Sequence, residues 1–264
     1  MPNTIAILPL VLAALLLAGP DPLQAQGGAP RVRNVVLVHG AYADGSSYAR
    51  VIPLLRARGL VVTAVQNPLT SLADDVAATR RAIARQDGPV ILVGHSSAGM
   101  VITEAGNDPR VAGLVYISAI IPDDGQSATD ALKGYPPTPG GPEQKPDASG
   151  YLTLTRKGMM EDFVPDIPVA ERELVLATQG DWNSTFLQER VTTAAWKTRP
   201  SWVIAVNDRM VPPQHERDSA RKIGATLVTI DSGHVPMLSK PAEVAAVIVD
   251  AATRAGAAPA ARPR

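Results

Sequence analysis

Cysteine is absent from all 264 residues, which excludes a thiolate nucleophile, cysteine-ligated zinc, disulfides and a cysteine-dependent lipid-anchor cleavage site. Histidine is scarce: the four copies, His39, His95, His215 and His234, lie too far apart for metal-ligand spacing, so no dedicated metal site is expected. Neither sign of charge is in excess. With 25 basic residues against 25 acidic ones, no basic face for nucleic acid and no acidic tail is implied. A membrane-spanning run is missing as well, because the apolar stretch Ile5 to Ala18, broken by Pro9, has fourteen residues where a spanning helix needs ~20.

That short run suits the apolar core of a secretory signal peptide. It is followed by a helix-breaking Gly19-Pro20-Asp21-Pro22 and a small residue, Ala25, at a cleavage point, although no Lys or Arg precedes it and Leu23 stands where a second small residue is preferred. The expectation is a signal over residues 1–25, a linker over 26–33, and a mature chain that is periplasmic or secreted with no membrane contact after cleavage. Residues 255–264, from Ala255 on, have no apolar period and are expected to be a disordered tail.

Hydrophobic residues make up 45% of the chain, enough for the core of one α/β domain over 34–254. Apolar-rich runs at Asn34–Val38, Leu60–Val65, Val90–Val93, Val111–Ile121, Ser201–Val206 and Ala225–Ile230 are expected to be strands, those at Asn34–Val38 and Val90–Val93 with the pattern of strands buried on both faces. Helical stretches separate them. Ser46 or Ser47 is expected to cap a helix through Val51 to Leu55 that Pro53 kinks; further helices are expected over Asp74–Arg85, from Met100 on, from Pro212-Pro213 through Ile223 and from Pro241 to about Ala252. This alternation requires a mostly parallel sheet with helices on both faces. It fails between about 122 and 198, where Pro136-Pro137-Thr138-Pro139-Gly140-Gly141-Pro142 is incompatible with helix or central strand. Six of the ten aromatic residues, Tyr135, Tyr151, Phe163, Trp182, Phe186 and Trp196, fall in that segment. It is expected to be an inserted cap whose bulky side chains form a small core, line a pocket, or do both.

At Gly94-His95-Ser96-Ser97-Ala98-Gly99 an apolar strand gives way at once to a helix. So sharp a reversal forces its central residue, Ser96, into an unfavourable backbone conformation and leaves room only for small neighbours. A serine hydroxyl needs a base within hydrogen-bond reach, and an imidazole needs an acid to fix its tautomer. Ligands of an open parallel sheet gather at the carboxyl ends of its strands, which is where Ser96, Asp208 and His234 fall. Asp123 and Asp124 end another strand and are the alternative acids; Asp231 is too close in sequence to His234 to reach around its ring. His39 and His95 are expected to be structural, and His215, beside Gln214, Glu216 and Arg217, to be solvated. Two amides are placed to receive an oxyanion, those of Ser97 and Ala41, with His39 and Gly40 as the supporting loop.

The elbow at Ser96 and the order Ser, Asp, His resemble the α/β-hydrolases. More narrowly, Val38-His39-Gly40-Ala41, Val93 to Met100, Asn207-Asp208-Arg209-Met210-Val211-Pro212 and Gly233 to Pro241 resemble the methylesterase and hydroxynitrile-lyase branch and its bacterial esterase-like relatives. The resemblance spans about Val35 to Ile248. It implies an α/β-hydrolase fold, a small-molecule ester as substrate, an acyl-enzyme, no cofactor, and a compact cap over an apolar pocket; oligomeric state is left open. A perhydrolase or lactonase uses the same residues, and a non-catalytic receptor of this fold is expected to have lost part of the triad. Ala98 departs from the G-x-S-x-G pattern. Lyases of the branch carry a threonine and a lysine where Gly40 and Val235 stand here, so lyase activity is not expected.

Overall fold

The structure, a computed structural model, describes residues 29–256; the expected signal and most of the expected tail lie outside them. Six strands form one parallel sheet: β1 (Asn34–Val38), β2 (Val61–Ala64), β3 (Val90–His95), β4 (Val111–Ile117), β8 (Ser201–Ala205) and β9 (Thr226–Thr229), ordered β2-β1-β3-β4-β8-β9. The fully apolar runs take the middle: β1, β3 and β8 are buried along their whole length, whereas the edge strands β2 and β9 are partly exposed. The register is in step, with Val38 opposite Gly94 and His95 opposite Ile117, so the carboxyl ends of β1, β3 and β4 lie side by side.

Helices form a layer on each face. On one, α1 (Val51–Ala57) packs against α9 (Pro241–Arg254), which crosses β3, β4 and β8; on the other, α2 (Leu72–Ala84) packs against α3 (Ala98–Ala105), which lies on β1, β3 and β4. Ser71 caps α2 by accepting from the Asp74 amide. The cap of the turn before α1 is Asp44, which accepts from the Ser46 amide, rather than either serine. Pro53 does not kink α1. It sits in the first turn of a helix that starts at Val51, where an N–H has no intrahelical partner to lose. The ends are tied down further than expected: the Arg31 and Val32 amides donate to the Ala252 carbonyl at 3.0 Å, and Val32 and Ala255 are buried.

Between β4 and β8 the chain makes the cap, and it is more regular than its sequence. It holds α4 (Ala128–Leu132) with a Ser127–Asp130 capping box, then β5 (Gln144–Pro146), β6 (Tyr151–Leu154) and β7 (Trp182–Asn183) in a small antiparallel sheet, and between β6 and β7 the helices α5 (Arg156–Gly158) and α6 (Val169–Ala177) with a π-helical turn at Met159–Phe163 between them. Strands of two to four residues are too short to leave a period in the sequence. Met159 and Phe186 are buried in a core continuous with that of the main sheet. After β8 follow α7 (Pro213–Ile223), closed by Gly224 in the left-handed region, then β9, α8 (Pro236–Ser239) and α9.

Candidate active site

At the carboxyl end of β3 the backbone of Ser96 has φ +56°, a strained value for a side chain with a Cβ. The surrounding bonds hold it there. The Ser96 amide donates to the Ile117 carbonyl, and its carbonyl accepts from the amides of Gly99 and Ile120, all at 3.0–3.1 Å. Ala98 is tolerated because the crowded position is the next one: a Cβ on Gly99 would collide with the Ile120 carbonyl.

Three buried side chains converge at this turn. The Ser96 hydroxyl lies 3.0 Å from Nε2 of His234, and Nδ1 of His234 lies 2.7 Å from Oδ2 of Asp208. A carboxylate accepts only, so the His234 proton sits on Nδ1 and the Nε2 lone pair faces the serine. The other oxygen of Asp208 accepts from the amides of Met210 and Val211 at 2.6 and 3.1 Å. Burial opposes the Asp208 charge, but His234, the Glu216 carboxyl and the Met210 amide outweigh it and hold the group below the usual carboxylate range. The alternative acids are elsewhere: Asp123 and Asp124 pair with Lys197, and Asp231 is exposed, accepting from the Asn207 amide group.

Supporting contacts explain the other histidines. The Asn67 amide donates to Nε2 of His39 at 2.9 Å, so Nδ1 carries the proton and donates to the Gly40 carbonyl. That carbonyl and the Ala41 N–H belong to one planar peptide, so anchoring one also fixes the direction of the other, which donates to the Ser97 hydroxyl. His95 donates from Nε2 to the His234 carbonyl at 2.9 Å, and burial pushes its pKa down to about 3, so it stays neutral as it holds the His234 backbone. His215 is not solvated. Its Nε2 accepts from the Ile121 amide at 3.1 Å and burial lowers its pKa to about 4; α7 turns its polar neighbours Gln214 and Arg217 outward while packing this face on the sheet.

Of the two expected oxyanion donors, the Ser97 amide makes no hydrogen bond among the described residues, whereas the Ala41 amide donates to the Ser97 hydroxyl at 2.9 Å. An oxyanion received by both amides would have to take the place of that hydroxyl. Sequence reasoning also missed Glu216, which is fully buried against Asp208. Its Oε2 accepts from the Val206 amide at 2.9 Å, while Oε1 meets no N–H donor; burial first and the Asp208 charge second push the carboxyl well above its ordinary value. A neutral Glu216 carries its proton toward Asp208.

Above Ser96 is a chamber of about 70 Å³ walled mainly by apolar side chains, among them Ile120, Leu132, Phe163, Trp182, Leu187 and Val211. Phe163 and Trp182 are therefore both cap core and pocket wall. Among the described residues no three His, Asp or Glu side chains converge to hold a metal ion, and no helix is long and apolar enough to cross a membrane.

A parallel α/β sheet with a serine on a strained strand–helix turn, backed by a histidine and a carboxylate, defines a hydrolase class. The chain belongs to the alpha/beta hydrolase family, whose model matches residues 35–247. It is 27% identical to a pyrethroid hydrolase of Sphingobium wenxiniae, over 83% of this chain and 87% of the relative. It is 26% identical to an alpha-hydroxynitrile lyase of Arabidopsis thaliana, over 80% and 93%. The solved structure of a pyrethroid hydrolase from Sphingobium faniae superposes with a TM-score of 0.72 at 23% identity, covering 84% of this chain and 97% of that one.

Proposed function

We propose that this chain hydrolyses small carboxylic esters through an acyl-enzyme on Ser96. The observation that carries this reading is the continuous hydrogen-bonded line from Asp208 through His234 to Ser96, at 2.7 and 3.0 Å, ending in an apolar chamber beside an unengaged amide. In the first half-reaction Ser96 Oγ bonds to the ester carbonyl carbon and its proton passes to His234 Nε2. The carbonyl oxygen becomes an oxyanion, received by the amides of Ser97 and Ala41; one such donor contributes about 3 kcal/mol. When the C–O bond to the alcohol breaks, His234 returns the proton to the leaving oxygen. Water then attacks the acyl carbon, gives a proton to His234, and the carboxylic acid leaves as Ser96 is reprotonated. Asp208 keeps the imidazole in the required tautomer throughout.

Ser96→Ala is expected to fold with an unchanged circular dichroism spectrum and to lose ester turnover by at least three orders of magnitude. Retention of a tenth of the activity would overturn the assignment. One relative is an alpha-hydroxynitrile lyase, but two positions speak against cyanohydrin cleavage here. A Cβ at Gly40 would lie 2.8 Å from both the His95 carbonyl and Cβ of Ser96, which leaves no room for a threonine hydroxyl, and Val235 is buried and apolar, so nothing balances the charge of departing cyanide. Mandelonitrile is accordingly expected to release no cyanide above background; release comparable to ester turnover and abolished by Ser96→Ala would show the opposite. Assaying a panel of aryl and alkyl esters with and without peroxide separates hydrolysis from perhydrolysis.

A further inference from the structure

The chamber around Ser96 is small for its surroundings. At about 70 Å³ it takes roughly two water molecules, enough for an acetyl group and far below the ~300 Å³ at which pockets for drug-sized ligands begin. A second cavity of about 250 Å³ lies beside it, between the turn before α1 and cap helix α6, with walls that include Ile167, Leu174, Val175 and Leu238. Tyr42 is the one side chain that lines both.

Tyr42 is built as a partition. Its ring stands edge-on to Phe163 and Trp182, with centroids at 6.2 and 5.8 Å, and its hydroxyl donates to the Gln144 side chain of β5 at 2.7 Å. Its backbone has φ +60°, a left-handed conformation that costs free energy in a bulky residue. One side-chain hydrogen bond to the cap therefore latches a strained residue across the space between the cavities.

The outer cavity runs from the segment after β1, Ala43 to Arg50, to two walls tied to the loop that carries His234. Leu238 follows His234 by four residues, and Ile167 adjoins Asp166, whose carboxylate accepts from the Gly233 amide at 2.8 Å. In ester hydrolysis the group on the His234 side is the alcohol, because His234 hands its proton to the leaving oxygen. Leu174, 64% exposed on α6, extends the apolar wall to the mouth of this cavity.

We infer that the outer cavity is the binding site for the alcohol part of the substrate, so that this chain selects esters pairing a compact acyl group with an extended apolar alcohol, admitted when Tyr42 swings off Gln144. The inference rests on the ester-hydrolase reading above. In it the acyl group occupies the inner chamber, the ester oxygen sits at His234, and an aromatic or branched alcohol fills the space along Val175 and Leu238.

The test compares kcat/KM for 2-(2-naphthyl)ethyl acetate with that for ethyl acetate, two esters with similar leaving-group chemistry. It does the same for methyl 3-(2-naphthyl)propanoate against methyl acetate, which puts the bulk on the acyl side. Val175→Trp, which fills the outer cavity, should lower the first ratio at least tenfold and move the second less than twofold. Tyr42→Ala, which joins the cavities, should raise the first ratio. If Tyr42→Ala fails to fold, Val175→Trp decides alone, since it adds bulk at a half-buried helix position. A first ratio unchanged by Val175→Trp, or a loss that follows the acyl arm, overturns the inference while ethyl acetate turnover keeps the esterase reading intact. Absence of turnover of every ester by the unaltered protein overturns both.

Discussion

Asp208 and Glu216, two carboxyl groups buried in contact, cannot both be charged, and the contacts decide which one gives way. Asp208 receives two amide N–H groups and faces His234, whereas Glu216 receives only the Val206 amide, so the proton stays on Glu216. Held neutral, it donates to Asp208 and positions it without touching the chamber. Glu216→Gln preserves a donor and an acceptor at nearly the same places and is expected to keep kcat within about threefold. Glu216→Leu strips Asp208 of a hydrogen bond to a charged group, a loss of about 1.5–3 kcal/mol, or tenfold or more in rate. Steady-state kinetics check this: kcat should fall with KM little changed, and rescue by glutamine but not leucine separates positioning from general loss of packing. An equal loss in both variants would mean that the charge, not the donated proton, matters.

The β3–α3 turn is strained at Ser96 and held by bonds from two neighbouring segments, so the element as a whole, not its central residue, sets the position of the hydroxyl. A second strained element lies at the start of α2. Leu69 has φ +59°, and its amide donates to the buried Asp75 carboxylate at 2.9 Å, while the cap residue Glu189 accepts from the Leu72 amide. Burial raises the Asp75 pKa to about 7, the Leu69 amide opposing this and the nearby Asp74 and Glu189 charges adding to it. The folded state thus holds a proton that the unfolded chain, with an ordinary value near 4, has already lost. Asp75 therefore costs stability progressively as pH rises from about 4 to about 7, and fully above that. Asparagine keeps the acceptor for Leu69 and avoids the charge. Asp75→Asn is expected to leave Tm nearly unchanged at pH 4 and to raise it by roughly 10 °C at pH 8, since a carboxyl pKa raised from near 4 to about 7 corresponds to about 4 kcal/mol and a domain of this size moves about 2–4 °C per kcal/mol. Thermal melts at the two pH values test this, and an equal Tm difference at both would refute it.

For the whole molecule, the apolar run at Ile5–Ala18 leads to the proposal that the mature chain begins near Gln26 outside the cytoplasm. Intact mass of protein from a periplasmic or culture fraction is expected to correspond to a chain starting there, and full-length chain found only in the cytosol would refute export. Within residues 29–256 the sequence by itself determined the six sheet strands, the main helices and the order in which Ser96, Asp208 and His234 reach the sheet's carboxyl edge. These follow from periodicity and chain order, which are local and additive along the sequence. Only the tertiary structure decided that His215 is buried, because a helix of polar composition still has an inward face. It alone brought Glu216 against Asp208, turned the Ala41 amide onto the Ser97 hydroxyl, assembled two- to four-residue strands into the cap's sheet, and set Tyr42 between two cavities by a bond to Gln144. Each of these is a pairing of residues with no shared local pattern. The Tyr42–Gln144 contact spans 102 positions of sequence and that of Ala41 with Ser97 spans 56, and such pairings exist only once the sheet has packed and the cap has closed over it.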